Sequence, residues 1–397
     1  MSRQNRSFRE ASGFGHVSAP PLNSPYPTLI VADDLTGACD AAVAFTPHGL
    51  PTRVLIEPHL EPSAKPAVCA IFTGSRSLPP HDAEARLTAA ARLAPGFPRI
   101  FKKIDSVFRG NTVREIALSL QLFPAPLAIL APAYPALGRS TVDGVIRVAD
   151  LTGERTVDAL AFLRATGLNL AVIPVGLSDS ALAQQIEAAR RTSDLLFCDA
   201  LHQSHLEAVV RAAARLSRPV LWIGSGGLAH ALAAQQPLRP EPAPHPLRGR
   251  VLLFCGSDHP VSVAQIRHLG PSPDVASWTP GEPAPTNIAE ATSVLIPVAC
   301  GTTRKSDLAA QAEHLRHGAV GCLLMTGGDT AALVCRALAV EAIELQREVL
   351  PGLPQGVLRG GPFSGCTVIL KSGGFGEAAT IGTIVERFAP SREVRVV

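Results

Sequence analysis

Apolar and polar positions along this chain follow two alternating periods. From residue 28 to about 230, short apolar runs alternate with stretches whose apolar residues recur every three or four positions. The runs 28–32, 53–56, 68–72, 99–104, 127–130, 170–173, 195–198 and 219–223 have the length of buried strands. Stretches 82–93, 112–121, 156–165, 178–191 and 204–215 have helical spacing. Continuous apolar strands separated by helices predict an α/β fold with a largely parallel sheet. Residues 236–249 read QPLRPEPAPHPLRG, with five prolines between 237 and 246. Proline at that density excludes regular structure and suits a semi-rigid linker. The alternation then restarts, with strands at 250–255, 293–298, 319–325 and 367–371 and helices at 261–268, 305–316 and 329–347. A shorter Pro-rich loop covers 271–286. The expectation is two α/β domains, 27–235 and 250–397, with a small-molecule site in the cleft between them.

Composition narrows the class. Hydrophobic residues make up 46% and charged residues 17% of the 397, enough for a large core. A net charge of +3 is too small to imply nucleic acid or a membrane surface as partner. No apolar run reaches the ~18 residues that a membrane-spanning helix needs. Residues 1–26 carry Arg3, Arg6 and Arg9 without an apolar stretch. They read as a disordered tail rather than a secretory signal, with a transit peptide as the sharper alternative. The eight cysteines (39, 69, 198, 255, 300, 322, 335 and 366) form no CxxC and no zinc-type Cys/His grouping. Reduced core thiols in a cytoplasmic protein are expected, and no metal site built from the chain alone.

Chemistry gathers at strand ends. The run 28–32 ends in Asp33 and Asp34, before Gly37 and a small-residue helix. The carboxyl ends of parallel strands are where open α/β sheets place ligands. The plainer alternative is a helix N-cap with a solvated neighbour. Arg76 follows the run 68–72, and Lys103, Asp105, Ser106 and Arg109 follow 99–104, while Arg139 lies in a Pro- and Gly-punctuated loop. Thr112 and Glu115 fit a capping box on the next helix. On one rim, the cations suit a carboxylate ligand and the acids suit its hydroxyls or act as a general base. Surface salt bridges are the bland alternative.

In the second half, glycine turns follow apolar runs at Gly256-Ser257, at Thr326 to Thr330 and at Lys371 to Gly376. Glycine admits close backbone approach, and a helix N-terminus offers free N–H groups to phosphates. Lys371 adds a point charge for a phosphate chain. Neither a G-x-x-x-x-G-K-[ST] loop nor a protein-kinase motif set is present. The turn Gly224 to Gly227 reads as tight strand–helix packing, and His230 and His259 as solvent-facing or capping.

The ADD segment at 32–34, RIFKKIDSVFRGNTVRE (99–115), APAYPALGRSTVDG (131–144), CLLMTGGDTAALVCR (322–336) and VILKSGGFGE (368–377) occur in the order of a known family. Together they resemble the four-carbon acid sugar kinases, ATP-dependent enzymes that phosphorylate tetronates and 3-oxo-tetronates. The resemblance implies that Asp34, Arg76, Lys103, Asp105 and Ser106 hold the sugar acid. It maps nucleotide contacts to Ser257, Gly327, Gly328, Asp329, Thr330 and Gly373. Asp33, Arg109 and Arg139 complete the expected substrate rim. Val107-Phe108 departs from the family's Thr-Leu, the segment after Arg139 is short, and Asp329 stands where Glu is frequent. The first two departures bear on which acid is bound. The expected reaction is phosphoryl transfer from Mg–ATP to a terminal hydroxyl, with Asp105 as the preferred base and Asp34 as its rival. Rival classes are an NAD(P)-linked oxidoreductase, which needs an early GxGxxG, and a non-catalytic two-lobed sensor. The expected partner is the small acid, with a second copy of the chain left open.

Overall fold

The computed structural model describes residues 27–57, 66–216, 218–239, 249–270, 272–316 and 319–388. The expected tail and residues 240–248 of the expected linker lie outside them.

In the first half, β1 (Thr28–Ala32), β2 (Thr52–Leu55), β3 (Val68–Phe72), β4 (Arg99–Lys103) and β5 (Leu127–Ala131) alternate with helices. A separate meander follows: β6 (Arg139–Val142), β7 (Val145–Asp150) and β8 (Gly153–Asp158). Next come β9 (Leu170–Ile173), β10 (Leu195–Cys198) and β11 (Val220–Gly224). The second half adds β12 (Arg250–Cys255), β13 (Val275–Ser277), β14 (Ser293–Pro297), β15 (Val320–Thr326), β16 (Ala342–Leu350), β17 (Leu353–Arg359) and β18 (Thr367–Lys371).

Among the described residues, fifteen strands form one sheet in the order β13-β14-β12-β15-β18-β17-β16-β2-β3-β1-β4-β11-β5-β10-β9. Each half is a parallel block, as expected. The blocks do not form separate sheets, because the antiparallel hairpin β16–β17 joins them. β17 pairs with β18 on one side and β16 pairs with β2 on the other, Ala342 facing Leu55. The expected helix 329–347 therefore ends early. Gly328–Ala337 is helical, Ala339 takes a left-handed φ of 50°, and the chain leaves as a strand. Residues 342–345 satisfy both periods, and pairing with β2 and β17 decides between them. The stretch 156–165 likewise splits into the end of β8 and a short helix, Ala159–Arg164.

Strands covered on both faces read as unbroken apolar runs, and β1, β3, β5 and β18 are buried at every position. One apolar cluster runs along a single face of the sheet through both halves, from Ile30 and Trp222 to Phe254 and Leu370. Helix Leu35–Val43 is buried at all nine positions. Its small residues let it sit between β1–β3 and the hairpin, against helix Gly328–Ala337. Its N-terminus therefore lies where the halves meet.

Candidate active site

Parallel register brings the first set of residues together. Ala32 pairs with Phe72 and with Lys103, so the segments after β1, β3 and β4 leave the sheet on one rim. Asp34 caps helix Leu35–Val43: Oδ1 accepts from Gly37 N–H at 2.8 Å and Oδ2 from the Thr36 hydroxyl at 2.8 Å. A Cβ on Gly37 would stand 2.4 Å from Asp34 Oδ1 and 3.0 Å from Lys103 Nζ, so this turn needs glycine.

Arg76 gathers the acids. Its Nε donates to Asp33 Oδ2 at 2.6 Å and Nη1 to Asp34 Oδ2 at 2.9 Å, and Nη2 lies 3.7 Å from Asp105 Oδ2. Burial opposes the charge on Arg76, but Asp33, Asp34 and Asp105 outweigh it and push its pKa well above the usual value. Burial would raise Asp33, and Arg76 instead holds it below the ordinary range. Asp105 is held more completely. Oδ1 accepts from the backbone N–H of Val107 and Arg109, and Oδ2 from Arg109 Nε at 3.0 Å and Nη2 at 2.5 Å. Burial is again the largest single influence and raises its pKa, but Arg76 and Arg109 together overcome it and keep the carboxyl far below its ordinary value.

The two lysines of β4 face opposite ways, as strand alternation requires. Lys102 is buried on the far face, 2.6 Å from Glu115 Oε2. Glu115 also accepts from the Ser75 hydroxyl, so it is an ion-pair partner rather than half of a capping box. Asn111 stands at the N-cap without a side-chain bond, and Thr112 Oγ1 donates to Arg109 O at 2.7 Å. Lys103 faces the rim, its Nζ donating to Ile104 O at 3.0 Å and lying 3.9 Å from Asp40 Oδ2. Burial pushes Asp40 up to about 6, against Lys103 and the Tyr134 hydroxyl.

The second half presents its turns on a matching rim. Cys255 pairs with Thr326, and Thr326 with Lys371, so three turns follow aligned strand ends. Gly327 has a φ of 93°, and its N–H donates to Lys371 O at 2.9 Å. A Cβ on Gly256 would meet Thr330 Oγ1 at 2.4 Å, and one on Gly373 would meet Ser257 Oγ at 2.3 Å, so these turns pack directly on each other. Lys371 does not reach outward. Its Nζ lies within 3.3 Å of the Ser262 hydroxyl and of the carbonyls of Ser372, Gly373 and Phe375. Burial pushes its pKa down to about 8. Lys371 thus braces the turn from beneath instead of offering a free charge.

The rims touch. A Cβ on Gly328 would lie 2.3 Å from Asp34 Oδ2. Ser372 Oγ donates to Thr36 Oγ1 at 3.1 Å, and Ser77 Oγ to Asp329 Oδ2 at 3.4 Å. Between the rims lies a cavity of about 310 Å³. Asp34, Arg76, Lys103, Asp105, Ser106, Arg109 and Arg139 all line it, while Asp33 stands behind Arg76. From the second half it takes His259, Ser372, Gly374 and Phe375. His259 does cap its helix, Nδ1 accepting from Val261 N–H at 3.3 Å, yet it also faces the cavity. The turn at Gly226–Gly227 is a packing feature, with Tyr134 and Ala133 O against it.

Arg155 and Val157 of β8 also line the cavity, and nothing in the sequence pattern singled them out. The meander folds over the mouth. Arg139 Nη2 donates to Asp150 Oδ2 at 3.2 Å, and its guanidinium lies 5.4 Å from the Phe375 ring centroid. Of the eight cysteines, five are buried and two partly so, but Cys300 is exposed. Among the described residues no cluster of three or more His, Cys, Asp or Glu could hold a metal ion. No helix there is long and apolar enough to cross a membrane.

A rim of acids and cations joined to a rim of glycine turns makes a two-part site. Family models match residues in both halves of the chain. Residues 28–168 and 161–232 match the sugar-binding N-terminal domain, and residues 275–381 the nucleotide-binding C-terminal domain. The chain is 33% identical to a D-threonate kinase of Cupriavidus necator, over 92% of this chain and 98% of that one. It is 33% identical to a D-threonate kinase of Bordetella bronchiseptica (90% and 96% covered) and 28% to a D-erythronate kinase of Heliobacterium modesticaldum (90% and 96%). A Haemophilus influenzae crystal structure superposes with a TM-score of 0.67 at 19% identity, over 91% of this chain and all of that one, a likeness of fold. The chain belongs to the four-carbon acid sugar kinase family.

Proposed function

We propose that this chain transfers the γ-phosphoryl group of ATP to the terminal hydroxyl of a four-carbon sugar acid, with D-threonate the first substrate to test. The observation that carries this reading is the contact between Asp34 and Gly328. It sets a carboxylate of the polar cavity against the N-terminus of a helix that opens on a glycine turn. A hydroxyl in the cavity then faces a phosphate held by backbone N–H groups and the helix dipole. Phosphoryl transfer needs mainly this positioning and charge stabilisation.

Asp34, not Asp105, is the base in this proposal. Every acceptor direction of Asp105 is taken by Arg109 and backbone N–H groups, which makes it a clamp for Arg109. Asp34 stands at the junction itself. Lys103 and Arg76 neutralise charge around the reacting oxygen. Magnesium fits the donor set as an ion shared with the nucleotide, since it is commonly held by one or two carboxylates plus phosphates. Asp329, beside Gly328, would hold it together with the phosphates, and it would screen charge on the transferring group. An oxidoreductase reading lacks an early GxGxxG, and a sensor has no use for a carboxylate packed against the phosphate turn. The test is ADP release with D-threonate, D-erythronate and 3-oxo-tetronates. Release with at least one of them is expected. Release with none, together with a thermal shift by NAD(H) but not by ATP, would overturn the reading.

A further inference from the structure

We infer that Arg155, carried on the meander over the cavity, reads the carboxylate of the substrate and so makes the enzyme select acids over the corresponding polyols. The inference rests on the kinase reading above, which fixes the direction of the substrate. The hydroxyl that receives phosphate lies at Asp34, so the acid end points away from the glycine turns.

Charge decides where it goes. Around this rim, the four carboxylates of Asp33, Asp34, Asp40 and Asp105 outnumber the three cations Arg76, Lys103 and Arg109. That end repels an anion and suits hydroxyls. The meander has the opposite balance, since Arg139 and Arg155 share one carboxylate, Asp150. A substrate carboxylate would complete this trio.

Geometry agrees. Arg155 and Val157 are two residues apart on β8, so both side chains leave the strand on the cavity side. Arg155 donates through Nη1 to Asp150 Oδ1 and through Nη2 to Oδ2, each at 3.1 Å, in the forked manner in which arginine takes a carboxylate. Asp150 thus fixes the guanidinium by its end-on fork. Other cations of the cavity are committed elsewhere. Arg76 serves three acids, Lys103 is held by Ile104 O and Asp40, Arg109 is clamped by Asp105, and Arg139 lies under Phe375. Arg155 Nη1 also donates to Thr152 Oγ1 at 2.7 Å, which leaves Nε–H and one Nη2–H as the fork for a second anion, and the side chain is 40% exposed on the edge strand of the meander.

The test is steady-state kinetics of Arg155→Met with D-threonate and with threitol, which carries CH2OH in place of the carboxylate. Loss of a forked, charge-assisted contact should lower kcat/KM for D-threonate by roughly 10- to 100-fold. The threitol rate and the KM for ATP should not change, so the acid-to-polyol preference falls by the same factor. Arg155→Lys keeps charge without the fork and should fall between. Equal losses on both substrates, or undiminished kcat/KM for D-threonate, would overturn the role of Arg155 while leaving the kinase reading intact. Should the native chain phosphorylate no four-carbon acid, calorimetry of D-threonate on native and Arg155→Met protein still decides the point. Weaker binding to the variant supports the assignment, and equal binding or none refutes it.

Discussion

Arg76 shows how one side chain can gather three acids into one cluster. Three carboxylates crowd one rim, where like charges repel unless a cation is shared between them. Arg76 faces all three and, against burial, holds Asp33 and Asp105 below the ordinary carboxylate range, and Arg109 locks Asp105. Two substitutions separate the roles. Asp34→Asn should lower kcat by roughly 10²–10⁴, the usual worth of a general base, with D-threonate still binding. Asp105→Asn should raise KM for the acid more than it lowers kcat, because it releases Arg109. Loss of turnover at unchanged KM in Asp105→Asn, with an active Asp34→Asn, would reverse the assignment. Acid stability provides a second readout. Asp105 is held below its ordinary pKa in the fold, so its stabilisation is complete above the unfolded value of ~3.9. It is lost as pH falls from there through the depressed folded value. Between those limits native protein should therefore lose stability more steeply than Asp105→Asn, as followed by urea unfolding at a series of pH values. Parallel curves would mean that the clamp contributes nothing to the fold.

At the scale of elements, strand alternation sorts neighbours into different duties. Lys102 and Lys103 are adjacent, yet one holds the fold and the other lines the site. Lys102→Met leaves Glu115 as an unpaired buried charge and should cost ~3–5 kcal/mol in urea unfolding, while pairing it with Glu115→Leu should recover most of that. Lys103→Met should cost less stability, since burial already pushes the Asp40 carboxyl up to about 6 and favours its taking up a proton, but it should lose D-threonate binding. Equal stability losses in the two lysine variants would contradict this division. The same logic explains what the sequence could reveal. Strand ends and glycine turns were legible because buried parallel strands are apolar throughout and their termini stand out. The hairpin was not, because residues 342–345 fit a helix as well as a strand and only pairing with β2 decides. β8 was not, because GERTVD has one apolar side chain and no alternation to read. Arg155 was therefore hidden with its strand, and Lys371 looked like a phosphate ligand because its carbonyl partners come from turn geometry rather than from sequence.

At the scale of the molecule, the shared sheet ties the halves together more closely than a linker would. A fragment beginning at residue 249 would leave the β16 edge without β2 and open the apolar face that both halves cover. Such an edge templates association. The fragment should therefore be insoluble or self-associated, whereas in the whole chain Mg–ATP at 100 times its dissociation constant should add roughly 2.7 kcal/mol of stability. A monomeric, ATP-binding fragment would show that the hairpin is not needed for closure. The contact between rims makes a stronger claim about coupling. Valine at 328 would place its Cβ within 2.3 Å of Asp34 Oδ2, unless one of them moves. Asp34 in turn holds Thr36, Gly37 and Arg76, so its displacement spreads through the rim of acids and cations. Gly328→Val should then weaken ATP and D-threonate together, measured by calorimetry on each ligand alone. Were the glycine turn a separate nucleotide module, only ATP binding would fall, and retained D-threonate affinity in this variant would show that the two rims work independently.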